Sequence, residues 1–485
     1  MGLCISACRK NATSSNAETV IKEEKSEPID FDFDQIKERG SLIAVVDNSS
    51  TGYFIYRGQP MGYEYDLLKR LADDLDVSLK IRLTADIEQA FDMLNSGEAD
   101  LMAYHLTVTR ERAKRVAFTK AHTQVRQVLV QRKPKNWRKL KVHELEDAML
   151  RSTLDLVGKE VYTRKGSSYS ERLANLSEEI GGDIIILEQP GQTDTESLIR
   201  KVANGEIDYT VADEDVGLIN ATYYPNIDVK TPISFPQTIA WAVRKNAPQL
   251  RTTVDDWLTN MKASPDFNVI YNRYFKYRKS QNLRAHSIYS SAGGLRISPY
   301  DDLIKEGAKS LSLDWMLLAS LIYQESKFDP EAKSWAGAKG LMQLTDVSIE
   351  QYDVDEPFDP EDNMEGGTEF LSWLEDLWSD KVPDENERMK FVLASYNVGQ
   401  GHVLDAVRLA KKYGKDPEVW DDNVAHFLLQ KTKPEFYNDP VVKYGYCRGN
   451  EPVNYVDEIL ERYERYETAY ENRTSASDST LVTDR

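Results

Sequence analysis

The stretch LSLDWMLLASLIYQES, residues 311–326, decides how the second half of this 485-residue chain folds. Apolar residues recur at Leu317, Leu318, Leu321 and Ile322, the spacing of a buried helical stripe. Ser312 or Asp314 supplies a cap at the start, and Pro330 blocks continuation. Glu325 stands four residues after Leu321 and therefore faces the same apolar side. A carboxyl there is desolvated, and it lies at the negative end of the helix dipole; both effects raise its pKa. A carboxylic acid kept protonated near neutral pH is what general-acid cleavage of a glycosidic bond requires.

Four more segments extend this reading. In SWAGAKGLMQLT, residues 334–345, Gly337 and Gly340 permit tight turns and close approach to a ligand. Met342 offers an adaptable apolar wall, and Gln343 an amide that both donates and accepts. In ASYNVGQGHV, residues 394–403, Tyr396 and Asn397 close the apolar run 391–394 and open a Tyr-Asn-x-Gly turn. PEDNMEGGTEFL carries Asn363, and YGYCRGNEPVNYV spans 444–456. In their order along the chain the pieces resemble the catalytic domain of soluble-lytic-transglycosylase-type enzymes, over roughly 294–470. The resemblance implies a mainly α, goose-type-lysozyme-like fold that cleaves peptidoglycan, with Glu325 as the catalytic acid. It implies Ser326, Ser334, Gly340, Met342, Gln343, Tyr396 and Asn397 as substrate-binding positions, and neither metal nor organic cofactor. Taken singly, a glutamate at a helix end is ordinarily a solvated surface residue; the ordered set favours catalysis. Glu331, Asp346 and Glu350 read as surface acids.

The length suggests two or three domains, and 41% hydrophobic content suffices for packed cores. A net charge of −19 argues against nucleic acid as a partner, because phosphate binding needs basic patches. No apolar run approaches the ~18 residues of a membrane-spanning helix. The three cysteines, Cys4, Cys8 and Cys447, make no disulfide framework, and the six histidines show no metal-ligand spacing. Ile5-Ser6-Ala7-Cys8 resembles a bacterial lipobox, followed by a polar tether to about residue 34. That resemblance implies lipidation of Cys8 and a lipoprotein on the periplasmic face of the outer membrane, touching the membrane through its anchor only. Only seven residues precede Cys8, without the charged and apolar parts of a signal peptide. A rival match is Met1-Gly2-x-x-x-Ser6, the myristoylation pattern.

Residues 35–280 have a different texture. Strand-like runs such as 41–46 and 127–131 alternate with helical stretches such as 65–75, which argues an α/β domain with a largely parallel sheet. The pieces GQPMGYEYDLLKRLADDL (58–75), LNSGEADLMAYHLTVTRERAKRVAFT (94–119), GKEVYTRKGSSYSERL (158–173) and ANGEIDYTVADEDVG (203–217) resemble family 3 of the bacterial solute-binding proteins. Those proteins hold polar amino acids between two lobes. The resemblance implies that Arg112, in Thr109-Arg110-Glu111-Arg112, grips a ligand carboxylate by a bidentate pair. It implies Thr107 and Ser167 or Ser168 as further donors to that carboxylate, and Asp213 as the partner of the ligand amine. On its own, the basic run around Arg112 reads as a solvated helix face, and a lobe pair that binds nothing is the alternative.

A periplasmic-binding-protein-like domain followed by a lysozyme-like domain resembles the membrane-bound lytic murein transglycosylase F family. The expected organisation is 1–34 lipobox and tether, 35–280 solute-binding-like domain, 281–296 linker, 297–471 transglycosylase-like domain and 472–485 disordered tail. The implied reaction cleaves the bond between N-acetylmuramic acid and N-acetylglucosamine and leaves a 1,6-anhydromuramoyl end. Two other readings stay open at this stage. One is a catalytically silent ligand sensor or glycan-binding protein; the other is a lysozyme-like hydrolase, which would use water and leave reducing ends.

Overall fold

The computed structural model describes residues 28–49, 51–190, 193–276 and 296–478. Cys8, the tether before Pro28 and the expected linker up to residue 295 lie outside the described residues.

The first domain has two lobes. In the first lobe the strands lie in the order Ser78–Leu83, Ser41–Val46, Leu101–Met102, Ala242–Val243 and Ala117–Phe118. Ser41–Val46 pairs in parallel with its two neighbours, whereas Ala242–Val243 pairs antiparallel on both sides. The second lobe repeats the arrangement: Ile185–Gln189, Glu160–Arg164 and Tyr209–Asp213 are parallel, and Gln127–Arg132 is antiparallel to Tyr209–Asp213 and Ile227–Pro232. The expectation of a largely parallel sheet is thus corrected to two mixed sheets. The cause is the path of the chain. It crosses to the second lobe on Thr123–Val125 and returns on the antiparallel partner Gln237–Ile239, and the strand after each crossing, Gln127–Arg132 and then Ala242–Val243, runs against its neighbours. The helix Tyr63–Asp74 buries Tyr63, Leu67, Leu68 and Leu71 on one face against this framework.

The second domain is helical. Its central helix, Trp315–Ser326, is buried at every position from Met316 to Tyr323, because neighbours cover it on several sides. It packs on Asp301–Ser310 and on the long helix Asn450–Asp478. The helix Glu385–Val398 bridges Pro360–Ser379, Gln400–Lys412 and Asn450–Asp478. Asn450–Asp478 overruns the tail expected from residue 472, which is therefore helical as far as Asp478.

The two domains meet through a hairpin. Phe54–Tyr56 and Gln59–Met61 pair antiparallel across Arg57 and Gly58, both at positive φ (50° and 76°) as a tight primed turn demands. The Gly58 carbonyl accepts a hydrogen bond from the Tyr466 hydroxyl at 2.9 Å. A Cβ at Gly58 would lie 2.5 Å from Tyr323 Cδ2 and 2.9 Å from Phe328 Cε2, so the turn rests on the rings flanking Glu325.

Gly40 (φ 71°) has the same backbone conformation with nothing within 4 Å of its Cβ position. Gly58→Ala is therefore expected to lower stability by about 1–2 kcal/mol more than Gly40→Ala, since strain is common to both and the clash is not. Equal losses in thermal melts of the two variants would show that the hairpin contact contributes nothing.

Candidate active site

Asp314 starts the central helix by accepting from the Met316 amide at 2.7 Å, which resolves the choice between Ser312 and Asp314. Lys327 (φ 54°) and Phe328 (φ 64°) end it before Pro330 is reached. Glu325 thus occupies the last turn. Its side chain retains partial surface exposure while protein surrounds the carboxyl. Burial pushes its pKa up to about 7, and the hydrogen bond that Tyr455 donates to Oε1 pulls the other way. No second carboxylate is among the groups that shift it. Glu331 and Glu350 are exposed, and exposed Asp346 pairs with Lys339 at 2.8 Å.

The loop beside Glu325 is clamped from the Asn363 segment. Asn363 Nδ2 donates to the carbonyls of Lys339 (3.0 Å) and Pro357 (2.8 Å), and its Oδ1 accepts from the Met342 amide at 2.8 Å. Gly340 (φ 80°) cannot be another residue here: a Cβ would sit 2.2 Å from Asn363 Nδ2 and 2.3 Å from Pro357 O. Gln343 holds a left-handed conformation (φ 49°) and donates from Nε2 to Ala332 O (3.0 Å) and Gly340 O (2.9 Å). Tyr396 joins loop to acid. Its hydroxyl donates to Met342 O at 2.7 Å, and the proximity of Glu325 adds to burial in raising its pKa well above the usual phenol range.

The expected substrate-binding positions are not all exposed. Met342 is fully buried, with its sulfur over Gly367, so the expected apolar wall is corrected to a core side chain whose carbonyl holds Tyr396. The buried Ser326 hydroxyl donates back to Ile322 O at 3.2 Å, within its own helix. Ser334 accepts from the Ala338 amide at 3.0 Å and closes the loop tip. Asn397 lies in the last turn of Glu385–Val398 rather than in a turn, and the break comes at Gly399 (φ 86°). Gln343, Tyr396 and Asn397 remain partly exposed.

Tyr455 is the residue that reading the sequence missed. It lies in the 444–456 segment, but nothing local distinguishes it from the other tyrosines there. Its position depends on buried Asp405, which accepts from the Lys443 and Tyr444 amides at 2.8 Å each and from Lys431 Nζ at 2.8 Å. Those bonds fix the chain that enters Asn450–Asp478, the helix carrying Tyr455.

A second cluster lies between the lobes of the first domain, where a cavity of about 60 Å³ is lined by Thr107, Arg112, Ser167, Ser168 and Asp213. The five expected ligand-binding residues are therefore brought together. Arg112 is buried, not on a solvated face, and bridges the lobes by donating to Thr107 O (2.8 Å) and Gly166 O (3.1 Å). Ser168 donates to Thr107 Oγ1 at 3.2 Å, while the Ser167 hydroxyl is taken by Arg164 O at 2.6 Å. Burial raises the Asp213 pKa to about 7 despite His105 nearby. His105 lies 3.2 Å from Asp215, 3.7 Å from Glu64 and 3.8 Å from Asp213; burial opposes its charge, but these carboxylates prevail and raise its pKa.

Comparison with known proteins follows the same division. Residues 42–277 match the bacterial extracellular solute-binding proteins, family 3, and 302–419 match the transglycosylase SLT domain. The chain is 36% identical over 431 residues to a membrane-bound lytic murein transglycosylase F of Desulfosudis oleivorans, covering 89% of this chain and 90% of that protein. It is 31% identical to a protein of the same name from Pseudomonas fluorescens, covering 89% and 85%. Among solved structures, a mutant of ArgBP from T. maritima matches 50% of this chain and 99% of its own, at 24% identity and a TM-score of 0.43.

An acid with a pKa of about 7 is protonated below that value, so acid-dependent cleavage should fall as pH rises through about 7. Tyr455→Phe removes the hydrogen bond that favours the carboxylate, so the Glu325 pKa rises and the alkaline limb should move up by ~1 pH unit. A limb that stays put or moves down in the pH–rate profile would show that Tyr455 does not act on this carboxyl.

Proposed function

This chain belongs to the membrane-bound lytic murein transglycosylase F family, and we propose that Glu325 performs the family's reaction as its acid and then its base. The protein is a peptidoglycan lytic transglycosylase that carries a solute-binding-like domain ahead of its catalytic domain. The observation that carries the assignment to Glu325 is its setting: burial raises its pKa to about 7, with Tyr455 as its hydrogen-bond partner.

Protonated Glu325 donates to the oxygen linking N-acetylmuramic acid to N-acetylglucosamine. As the bond breaks, the acetamido oxygen of the muramoyl sugar stabilises the oxocarbenium-like centre. The 6-hydroxyl oxygen then bonds to the anomeric carbon, and its proton passes to the Glu325 carboxylate. The acid is restored and a 1,6-anhydro end is left, without water. A two-carboxylate glycosidase needs a second acid close to the bond; the environment of Glu325 offers a tyrosine instead. Tyr455 steadies the carboxylate form, and Tyr396 with Gln343 sets the loop against which the sugar lies.

The relatives are named membrane-bound, and association with the cell envelope follows. Among the described residues, no helix is long and apolar enough to cross a membrane. The Ile5-Ser6-Ala7-Cys8 match supports a lipid anchor at Cys8 and a place on the periplasmic face of the outer membrane.

The first domain takes an amino acid or a small cell-wall peptide, with Arg112 on its carboxylate and Asp213 on its amine. Ser49 and Thr51 line the cleft, and the chain runs from them into the hairpin that rests on Tyr323 and Phe328. A ligand that favours one placement of this hairpin would bias the catalytic helix, and that differential affinity is what coupling requires.

Glu325→Gln keeps size and removes the proton, so lytic activity should fall by ~10²–10⁴-fold while the fold persists. Muropeptides released by the wild type should be one water lighter than hydrolysis products by mass spectrometry. Near wild-type clearing of sacculi by the variant, or mainly reducing ends, would overturn the mechanism.

Amino acids and stem peptides that bind only the folded protein should raise its melting temperature, and Arg112→Ala should abolish the shift. Lytic rates with and without the bound compound, in wild type and in Arg112→Ala, then decide coupling. Equal rates despite binding would leave the first domain as a localisation module.

A further inference from the structure

Arg164 ends the strand Glu160–Arg164 in the second lobe and lines the interlobe cavity. It is only 6% exposed, and its Nε and Nη2 have no hydrogen-bond partner among the described residues. These two nitrogens form the side-on edge of a guanidinium, the edge that grips a carboxylate bidentately. Burying such an edge without an acceptor is costly, and a ligand anion removes that cost. The backbone at this point is already fixed: Arg164 O accepts from the Ser167 amide (3.1 Å) and hydroxyl (2.6 Å).

Two acids that line the cavity, Asp194 and Asp47, leave this edge without an acceptor. Asp194 is committed as a helix cap, accepting from the Ser197 amide at 2.6 Å and hydroxyl at 3.0 Å. Asp47 lies close enough for Arg164 to influence it, yet the two form no ion pair within 4.0 Å and Asp47 Oδ1 has no partner among the described residues. Burial raises the Asp47 pKa despite Arg164. Arg112, the other buried guanidinium of the cavity, spends one donor on each of two backbone carbonyls and is held across the lobes. The cavity therefore presents two buried guanidinium groups set in different surroundings, one beside Thr107 and Ser168 and one beside Asp47.

We propose that Arg164 binds a second ligand carboxylate, so that the first domain selects a small dicarboxylic amino acid over neutral and basic ones. This rests on the reading of the cleft as an amino-acid site with Arg112 on the α-carboxylate, and it assigns the other end of the ligand.

Glutamate and glutamine have nearly the same shape and differ in the distal carboxylate, so the pair isolates the proposed contact. Isothermal titration of the full chain with both enantiomers of glutamate, glutamine and arginine is the test. Glutamate of one hand should bind ~10–100-fold more tightly than the matching glutamine, the range of a charge-assisted pair. Arg164→Gln should erase that preference while leaving glutamine affinity within a few-fold of wild type. Equal affinities in wild type, a preference that survives Arg164→Gln, or arginine binding most tightly would each overturn the proposal. Arg112→Ala separates the two layers. If it abolishes binding of every amino acid while Arg164→Gln changes nothing, the amino-acid site stands and the role of Arg164 falls. If none of the three amino acids binds, both fall.

Discussion

The role proposed for Glu325 depends on one constraint: its carboxyl must be surrounded by protein while the side chain keeps partial exposure. In water Glu325 would be ionised at neutral pH and useless as an acid. Burial raises its pKa, and the hydrogen bond it accepts from Tyr455 comes from a neutral phenol rather than a cation, so the rise is not cancelled. An arginine in the place of Tyr455 would keep the carboxylate ionised. The surrounding architecture follows from that requirement. The helix is apolar on several sides because it must be covered, and it ends where it does because Lys327 and Phe328 leave the helical conformation.

The loop beside Glu325 is held by satisfying its backbone groups. Asn363 holds the loop through three hydrogen bonds, and Tyr396 holds it through a fourth. Gly340 is needed because Asn363 and Pro357 fill the space where a Cβ would stand. Gln343 carries a conformation unusual for a residue with a side chain, the kind of local strain that accumulates at functional sites when surrounding bonds enforce it. Asp405 fixes the chain ahead of the helix that carries Tyr455. The site is therefore assembled from the helix end, a clamped loop and two tyrosines on separate helices.

In the first domain the cost of burying charge is managed differently. Arg112 is neutralised by backbone carbonyls from both lobes, and His105 by three carboxylates. The cavity is small, and charged and hydroxyl side chains share its lining with apolar ones. The hairpin that leaves it ends against Tyr323 and Phe328, so the two halves share packing next to Glu325.

Local pattern in the chain was enough to mark the helix of Glu325, the α/β alternation of the first domain, and the segments that carry Asn363, Tyr396, Arg112 and Asp213. These signals are short-range: period, capping and turn chemistry act within a few residues. What local pattern left open was direction and partnership. Mixed sheets arise from a chain that crosses between lobes and returns. The inward turn of Met342 depends on Gly367, 25 positions later, and the tie between Tyr455 and Glu325 spans 130 residues. Arg164 and Asp47 come from different lobes, and no spacing rule relates them. The sequence by itself determined which segments form helices and strands and which side chains have the chemistry to act. Only the tertiary structure decided which of those side chains lose their water together, and desolvation is what turns an ordinary carboxyl or guanidinium into a working group.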